Sequence, residues 1–377
     1  MRSLPPPSGR LTLVLALVVV PALVALLALA RPARSDPFVD PAFAALWDRT
    51  DRPVAGHQVT RTWIWGPVPG PAKREAYAEG PGGVRLVQYF DKGRMEINNP
   101  AGDPHAPFFV TSGLLSVELI SGLLQTGNTR FEAHTPALIP LASDRDDTTA
   151  PTYASFGPVS SLPGADRPAA KAVGQPANLA IDPAGNVGPL PPGGSSFGVT
   201  YAYYEPLTRH NVADVFWRFL NATGPVLVDG AIVQGPVFAP WFAQTGLPIS
   251  EAYWATAKIA GQRHPVLIQA FQRRILTYVP SNPDGWQVEM GNIGLHYLEW
   301  RYSLGAPATA VPPTPAGPPP LAPIVITGIV TGKSGLDLNE QTVTLVNQGD
   351  TPVGMSGWHL VSPKNDHVDT YVFPQEY

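Results

Sequence analysis

Two stretches of this chain are versions of one another, and that repetition limits the fold more than any other feature. Residues 43 to 119 carry FAALWDRTDRPV, REAYAE, VRLVQYFDKGRMEINNP and VTSGLL. Residues 216 to 298 carry FWRFLNATGPV, SEAYWA, PVLIQAFQRRILTYVPSNP and VEMGNIG in the same order. Glu75 matches Glu251, Tyr77 matches Tyr253, Gln88 matches Gln269, Phe90 matches Phe271, Pro100 matches Pro283 and Gly113 matches Gly291, at offsets drifting between 176 and 183 residues. Such drift is what loop insertions leave behind when the packed elements are kept. Two divergent pseudo-repeats are expected, 36–157 and 199–304.

Each copy predicts the same series of elements. A short amphipathic helix opens it, Pro41 to Arg49 in the first and Asn211 to Leu220 in the second, where Val212, Val215, Phe216 and Phe219 share a face and Asn211 suits the N-cap. An aromatic turn follows, Trp63 to Trp65 against Trp241 and Phe242. Two tight hairpins come next, Val84–Phe90 with Arg94–Ile97 and Val266–Phe271 with Ile275–Val279. The closing segments, Leu114–Ile120 and Leu295–Tyr302, suit helix or strand by periodicity, with a short helix the favoured reading. The expected class is α+β, with short helices and antiparallel hairpins.

Composition narrows the function classes. The formal net charge is −4, charged residues make up 14% and no lysine-arginine run occurs, so the footprint of a nucleic-acid binder is missing. Cysteine is absent, which excludes disulfides, thiolate nucleophiles and Cys-ligated metals. Forty-five prolines and 36 glycines imply many turns and long connections. Residues 158–198, rich in Pro, Gly, Ala and Ser, predict a surface excursion between the copies. Residues 305–323 hold eight prolines in nineteen positions and predict a polyproline II linker reaching roughly 60 Å.

At the N-terminus, Arg2 and Arg10 precede an uncharged apolar run from Leu11 to Ala30, and Ala28-Leu29-Ala30 offers a small-x-small cleavage pattern. Residues 1–30 are expected to be a signal peptide or a membrane anchor, since twenty apolar residues can span a bilayer core. Either reading places the body outside the cytoplasm, secreted or anchored.

From Ile324 the pattern turns all-β, with strands expected at Ile324–Thr331, Thr342–Val346, Trp358–Val361 and Val368–Phe373. The segment TVTLVNQGDTPVGMSGWHLVSP, ending in YVFP, resembles the lamin-tail domain, an immunoglobulin-like sandwich common in bacterial secreted proteins. The resemblance covers residues 324–377 and implies a core role for Trp358. The family continues with further strands past its Phe-Pro, so the segment is expected to be a truncated sandwich or one completed by a partner's strand. The body, through VQYFDKGRME, GLPISEAYW, RRILTYVPSNP and WQVEMGNIG, is similar to uncharacterised duplicated modules of bacterial secreted and surface proteins. That likeness implies location and architecture, not mechanism.

No residue set forms a strong catalytic signature. His210 and Asp214 lie four apart on an expected helix and suit an acid-base pair, a cap or a solvated pair. Asp144, Asp146 and Asp147 lack the glycine and distal Glu of an EF-hand loop and read as a solvated acidic loop. His105, His134, His264 and His296 have no zinc spacing, and Gly-x-Ser-x-Gly is absent. Glu118, Glu251, Glu289 and Glu299 supply carboxylates for a glycosidase pair only if the fold brings two together. Catalytic residues, a metal and a cofactor are therefore not expected.

Aromatic side chains near turns carry the ligand-binding expectation: Trp63, Trp65, Trp241, Tyr253 and Trp254, as platforms for a sugar face or a groove between the repeats. The expected function is non-catalytic binding or display at the cell envelope, with an envelope polysaccharide or protein as partner and the membrane met only through residues 1–30. A cell-wall or carbohydrate-active hydrolase, targeted by the lamin-tail-like module, is the alternative.

Overall fold

The computed structural model describes residues 37–104, 106 and 108–303, and four later strands, 324–330, 342–347, 359–364 and 367–372. The expected N-terminal segment, the proline-rich linker, His105 and Trp358 lie outside the described residues.

Helix α1 (Pro41–Thr50) starts where the sequence places it. Asp40 accepts a hydrogen bond from the Ala42 amide at 2.8 Å, Pro41 supplies a preset φ, and Phe43, Trp47 and Thr50 form the buried face. A single turn, α2 (Arg52–Ala55), follows. Strands β1 (Ala72–Ala76), β2 (Val84–Phe90), β3 (Gly93–Ile97) and β4 (Thr111–Ser112) make an antiparallel meander. Helix α3 (Leu115–Ser121) comes next and ends at Gly122, whose φ of 73° is the left-handed value that glycine adopts freely. Strands β5 (Leu123–Gln125) and β6 (Phe131–Ala133) pair.

Strands β7 (Leu179–Ile181) and β8 (Val187–Pro189) precede the hairpin of β9 (Tyr201–Glu205) with β10 (His210–Ala213). Helix α4 (Asp214–Leu220) leads to a second hairpin, β11 (Thr223–Val228) with β12 (Ala231–Pro236). Then β13 (Pro248–Ile259), β14 (Gln262–Phe271), β15 (Ile275–Tyr278) and β16 (Val288–Met290) run into α5 (Ile293–Ser303). The six-stranded sheet has the order β16-β15-β14-β13-β7-β8, antiparallel except where Trp254 of β13 meets Ala180 of β7. The fold is α+β. Among the described residues, no helix is long and apolar enough to cross a membrane.

Strand alternation divides the interior into two cores. On β2, Val87 and Tyr89 point into one core and Phe90 into the other; on β14, Val266, Ile268 and Ala270 enter the first, Leu267 and Phe271 the second. Both central strands are thus covered on both faces, and each core takes residues from both halves of the chain. Phe43, Trp47, Trp65 and Met95 share the second core with Phe216, Trp254 and Leu276.

Three expectations change. The helix expected from Asn211 begins only at Asp214, because Val212 and Ala213 are buried in the β9–β10 ladder and Ala213 takes the N-cap. Residues 158–198 are largely exposed but not merely a surface excursion. β7 joins the sheet, Ala177 and Ile181 are buried, and Trp254 Nε1 donates to the Ala177 carbonyl at 2.8 Å. The two meanders also differ in register. Gln88 faces Ala72, and Gln269 faces Ala252. Glu75 lies three residues beyond its Ala, whereas Glu251 lies one before, inside a bulge between Pro248 and Ala252. That four-residue slip is even, so side chains keep their faces.

In the C-terminal segment, β17 (Ile324–Val330) pairs with β18 (Thr342–Asn347), and β19 (His359–Lys364) with β20 (His367–Val372), all antiparallel.

Candidate functional site

The largest described cavity is a groove of about 540 Å³ lined by Phe108, Tyr203, Leu207, Trp241 and Phe242, with Thr111, Ser112, Glu205, Gln272 and Arg273 as its polar members. Its aromatic wall is braced from behind. Tyr203 on β9 stacks on Trp217 of α4, with centroids 4.2 Å apart and planes 12° apart. Trp241 stands edge-on to Trp217 at 5.3 Å and to Phe242 at 5.4 Å. Glu205 is buried and accepts from the Tyr203 hydroxyl at 3.1 Å and the Leu207 amide at 3.0 Å. Arg273 donates to the Ser112 carbonyl, and burial pushes its guanidinium below the usual arginine value.

A smaller pocket of about 120 Å³ shares Phe108, Ser112 and Ala243 with this groove and adds Trp65, Gln244 and Pro240. The indole Nε1 of Trp65, the hydroxyl of Ser112 and Oε1 of Gln244 are buried there without a protein hydrogen-bond partner. Asp51 fixes the Trp65 turn, accepting from the amides of Ile64 (3.0 Å), Trp65 (2.6 Å) and Gly66 (3.0 Å). The Arg274 guanidinium lies 4.8 Å from the Trp65 ring centroid; burial, with Arg273 beside it, pushes that arginine down to about 9.

Of the five aromatic residues singled out by sequence, Trp241 and Trp65 meet at this site, one in the groove and one in the inner pocket. Trp63 is half-buried against the second core. Tyr253 and Trp254 are not exposed platforms, since sheet strand β13 turns one into each core. The same correction applies to Trp65, which is fully buried. Trp254 also borders a separate 470 Å³ apolar cavity under residues 180–195. Sequence reading missed Ser112, Glu205 and Gln244 as site members; these isolated polar residues carry no shared spacing.

The other candidate groups fall into distinct settings. Glu118 belongs to a buried cluster in which Arg94 contacts Glu75 (3.0 Å), Glu96 (2.8 Å) and Glu118 (3.6 Å). Arg85 reaches Glu96 at 3.1 Å and Arg301 reaches Glu75 at 3.3 Å. Burial opposes ionisation of Glu75 and Glu96, and the arginines outweigh it, holding both below the ordinary range; for Glu118, burial wins and raises it. Glu289 lines a 220 Å³ pocket with Lys92, Asp144 and His296. There burial pushes Lys92 down and His296 down to about 4, leaving an imidazole whose Nδ1 lies 2.9 Å from the Tyr153 hydroxyl. Glu299 pairs with Arg145 at the surface, and His264 Nδ1 lies 3.2 Å from the Ser281 hydroxyl. His134 packs edge-on to Trp300 at 6.3 Å.

The acidic loop is a built turn rather than a solvated run. Asp144 accepts from the Ala260 and Gly261 amides at 3.1 and 2.8 Å, and Asp147 from the Lys258 and Thr149 amides at 2.8 and 3.0 Å. Burial works against ionisation of Asp147, yet these donors with Arg263 hold it at about 2. Its stabilisation is present above the unfolded carboxyl's value of about 3.9 and is lost as pH falls through about 2. Thermal melts at pH 5 and pH 2.5 are expected to show a smaller acid-induced drop in Asp147→Asn than in the wild type; equal drops would contradict this. Among the described residues, no group of His, Asp or Glu could hold a metal ion.

His210 and Asp214 do not pair. Asp214 bonds Arg218 at 2.7 Å, while the buried His210 bridges Ser161 (Oγ to Nε2, 3.0 Å) and Glu251 (Oε1 to Nδ1, 3.2 Å). No protein-family model, curated protein or solved structure matches the chain.

Proposed function

We propose that this chain is an extracytoplasmic binding protein that takes a hydroxyl-rich ligand, a polysaccharide segment of the cell envelope, in the groove beside Trp241, where no chemical step is needed. The observation that carries the reading is the groove's braced aromatic wall, Tyr203 stacked on Trp217 with Trp241 edge-on to it, facing the polar side chains of Thr111, Glu205, Gln272 and Arg273. A sugar edge both donates and accepts hydrogen bonds, so it suits the groove's polar side chains, while its apolar face lies against the indole of Trp241. The apolar run from Leu11 to Ala30 supports delivery outside the cytoplasm, to be secreted or held at the membrane.

On the same reading, the two strand-strand-strand-strand-helix runs, β1 to α3 and β13 to α5, are divergent copies of one unit. The strands from Ile324 belong to a lamin-tail-like, immunoglobulin-like module that displays the body or attaches it. Neither part needs a catalytic step.

The test uses the whole protein on a glycan array and on isolated peptidoglycan. Wild type is retained, and Trp241→Ala binds at least about tenfold more weakly, the loss expected for truncating one aromatic anchor. Trp241→Phe keeps most of the affinity. Failure of the wild type to bind any glycan or peptidoglycan would sink the proposal.

A further inference from the structure

Ser161, His210 and Glu251 stand 49 and 41 residues apart in sequence and meet in a chain of two hydrogen bonds. We propose that they form a nucleophilic triad that hydrolyses short-chain esters at the surface loop 161–167, an activity separate from ligand binding in the aromatic groove.

Glu251 is positioned first. It sits in the β13 bulge between Pro248 and Ala252, and bulges redirect side chains out of the ladder. Its Oε1 accepts from the Asn211 amide at 2.8 Å, and its Oε2 from the Asn211 side-chain amide at 3.0 Å. Asn211 is itself fixed, its Oδ1 accepting from Ala172 N and its Nδ2 donating to Ala170 O, each at 2.8 Å. The carboxylate is therefore held by groups that have no freedom to turn. Facing an acceptor, His210 Nδ1 carries the proton, and Nε2 is left to accept from the Ser161 hydroxyl. This is the protonation that a general base needs beside a serine nucleophile.

Ser161 is held to the same bulge, because its amide donates to the Ile249 carbonyl at 2.7 Å. Its Oγ has three polar neighbours: His210 Nε2 at 3.0 Å, the Arg167 amide at 3.0 Å and Asp166 Oδ1 at 3.5 Å. The Arg167 N–H donates to one lone pair of Oγ and leaves the other for attack. Asp166 is tied in turn to Arg209, so the loop carries an ordered ion pair next to the nucleophile. His210 is buried, whereas Ser161 is half-buried on a loop whose Pro163 and Gly164 are exposed. The proposed ester sits on the solvent side of this loop, with the base shielded behind it.

The reaction balances with water as the only co-reactant. Ser161 Oγ adds to the ester carbonyl carbon as His210 Nε2 takes the hydroxyl proton. The tetrahedral intermediate collapses, the ester C–O bond breaks, and the proton passes from Nε2 to the leaving alcohol. Water then adds to the acyl-serine with His210 again as base, the acid departs, and Oγ regains its proton. The Arg167 amide is committed to Oγ, so the developing oxyanion is met by solvent, which predicts slow turnover.

The test treats the whole protein with a fluorophosphonate and follows p-nitrophenyl acetate hydrolysis. The expected result is one phosphonylated site, found on Ser161 by peptide mass spectrometry, with esterase activity lost to background in Ser161→Ala at an unchanged melting temperature. Glu251→Gln, which keeps the shape but weakens control of the tautomer, is expected to slow hydrolysis at least a hundredfold. If that buried variant fails to fold, the wild-type adduct and Ser161→Ala still decide. No adduct, an adduct on another residue, or activity retained in Ser161→Ala would overturn the triad. Glycan retention by the phosphonylated protein reads the groove independently.

Discussion

Replacing Arg94 by Met is expected to lower the unfolding free energy by about 3–5 kcal/mol, a large part of the 5–15 kcal/mol that holds a typical domain together. Arg94 is fully buried and touches Glu75, Glu96 and Glu118, while its guanidinium lies 4.6 Å from the Tyr297 ring centroid. Removing it leaves three buried carboxylates to Arg85 and Arg301, which reach only Glu96 and Glu75. Arg94→Lys is expected to recover little, because a point ammonium cannot reproduce a planar fork that meets carboxylates on separate strands. Adding Glu118→Gln to Arg94→Met is expected to restore part of the loss, since the carboxylate that burial already disfavours becomes neutral. Urea unfolding followed by tryptophan fluorescence measures all three. A loss under 1 kcal/mol for Arg94→Met would contradict the account.

Gly294→Ala is expected to destabilise by about 3 kcal/mol, near the upper end for forcing a methyl into a packed interior. Gly294 lies in the first turn of α5, where its amide and that of Leu295 donate to the Asp91 carbonyl at 3.0 and 3.4 Å. An added Cβ would lie 2.5 Å from the Gly93 carbonyl oxygen, 2.7 Å from the Gly93 nitrogen and closer still to the Phe90 carbonyl oxygen. All three are backbone atoms of the β2–β3 turn, so no side chain can swing away. Gly188→Ala is the control, having nothing within 4 Å of the new methyl. It is expected to stay within about 0.5 kcal/mol of wild type. Thermal and urea melts that rank the two variants equally would show that α5 does not rest on this turn.

Periodicity and turn chemistry made the local elements legible. The amphipathic run from Pro41 marked α1, and the strands flanking Asp91 to Gly93 and Gln272 to Arg274 were readable as hairpins. The segments at 115–121 and 293–303, which periodicity left between helix and strand, are helices. Residues 211 to 213 were misread because an apolar spacing at 212, 215, 216 and 219 fits a helix, while tertiary pairing with β9 claims the first positions. Bulges leave no trace in composition, so the slip that moves Glu251 towards His210 was invisible. Aromatic count alone did not separate Trp241, which borders a groove, from Tyr253 and Trp254, which fill the cores. Contacts between Ser161 and His210, or between Trp65 and Gln244 around one pocket, depend on closure of the whole body.

The two cores also decide when folding can occur. Every buried layer around β2 waits for partners such as Phe271, Leu276 and Tyr297, which are synthesised about 180 residues later. An emerging chain that ends before them carries a meander with both faces unpaired, and such open strands are prone to aggregate until chaperones or their native partners cover them. The native body can therefore assemble only after its last described helix has left the ribosome.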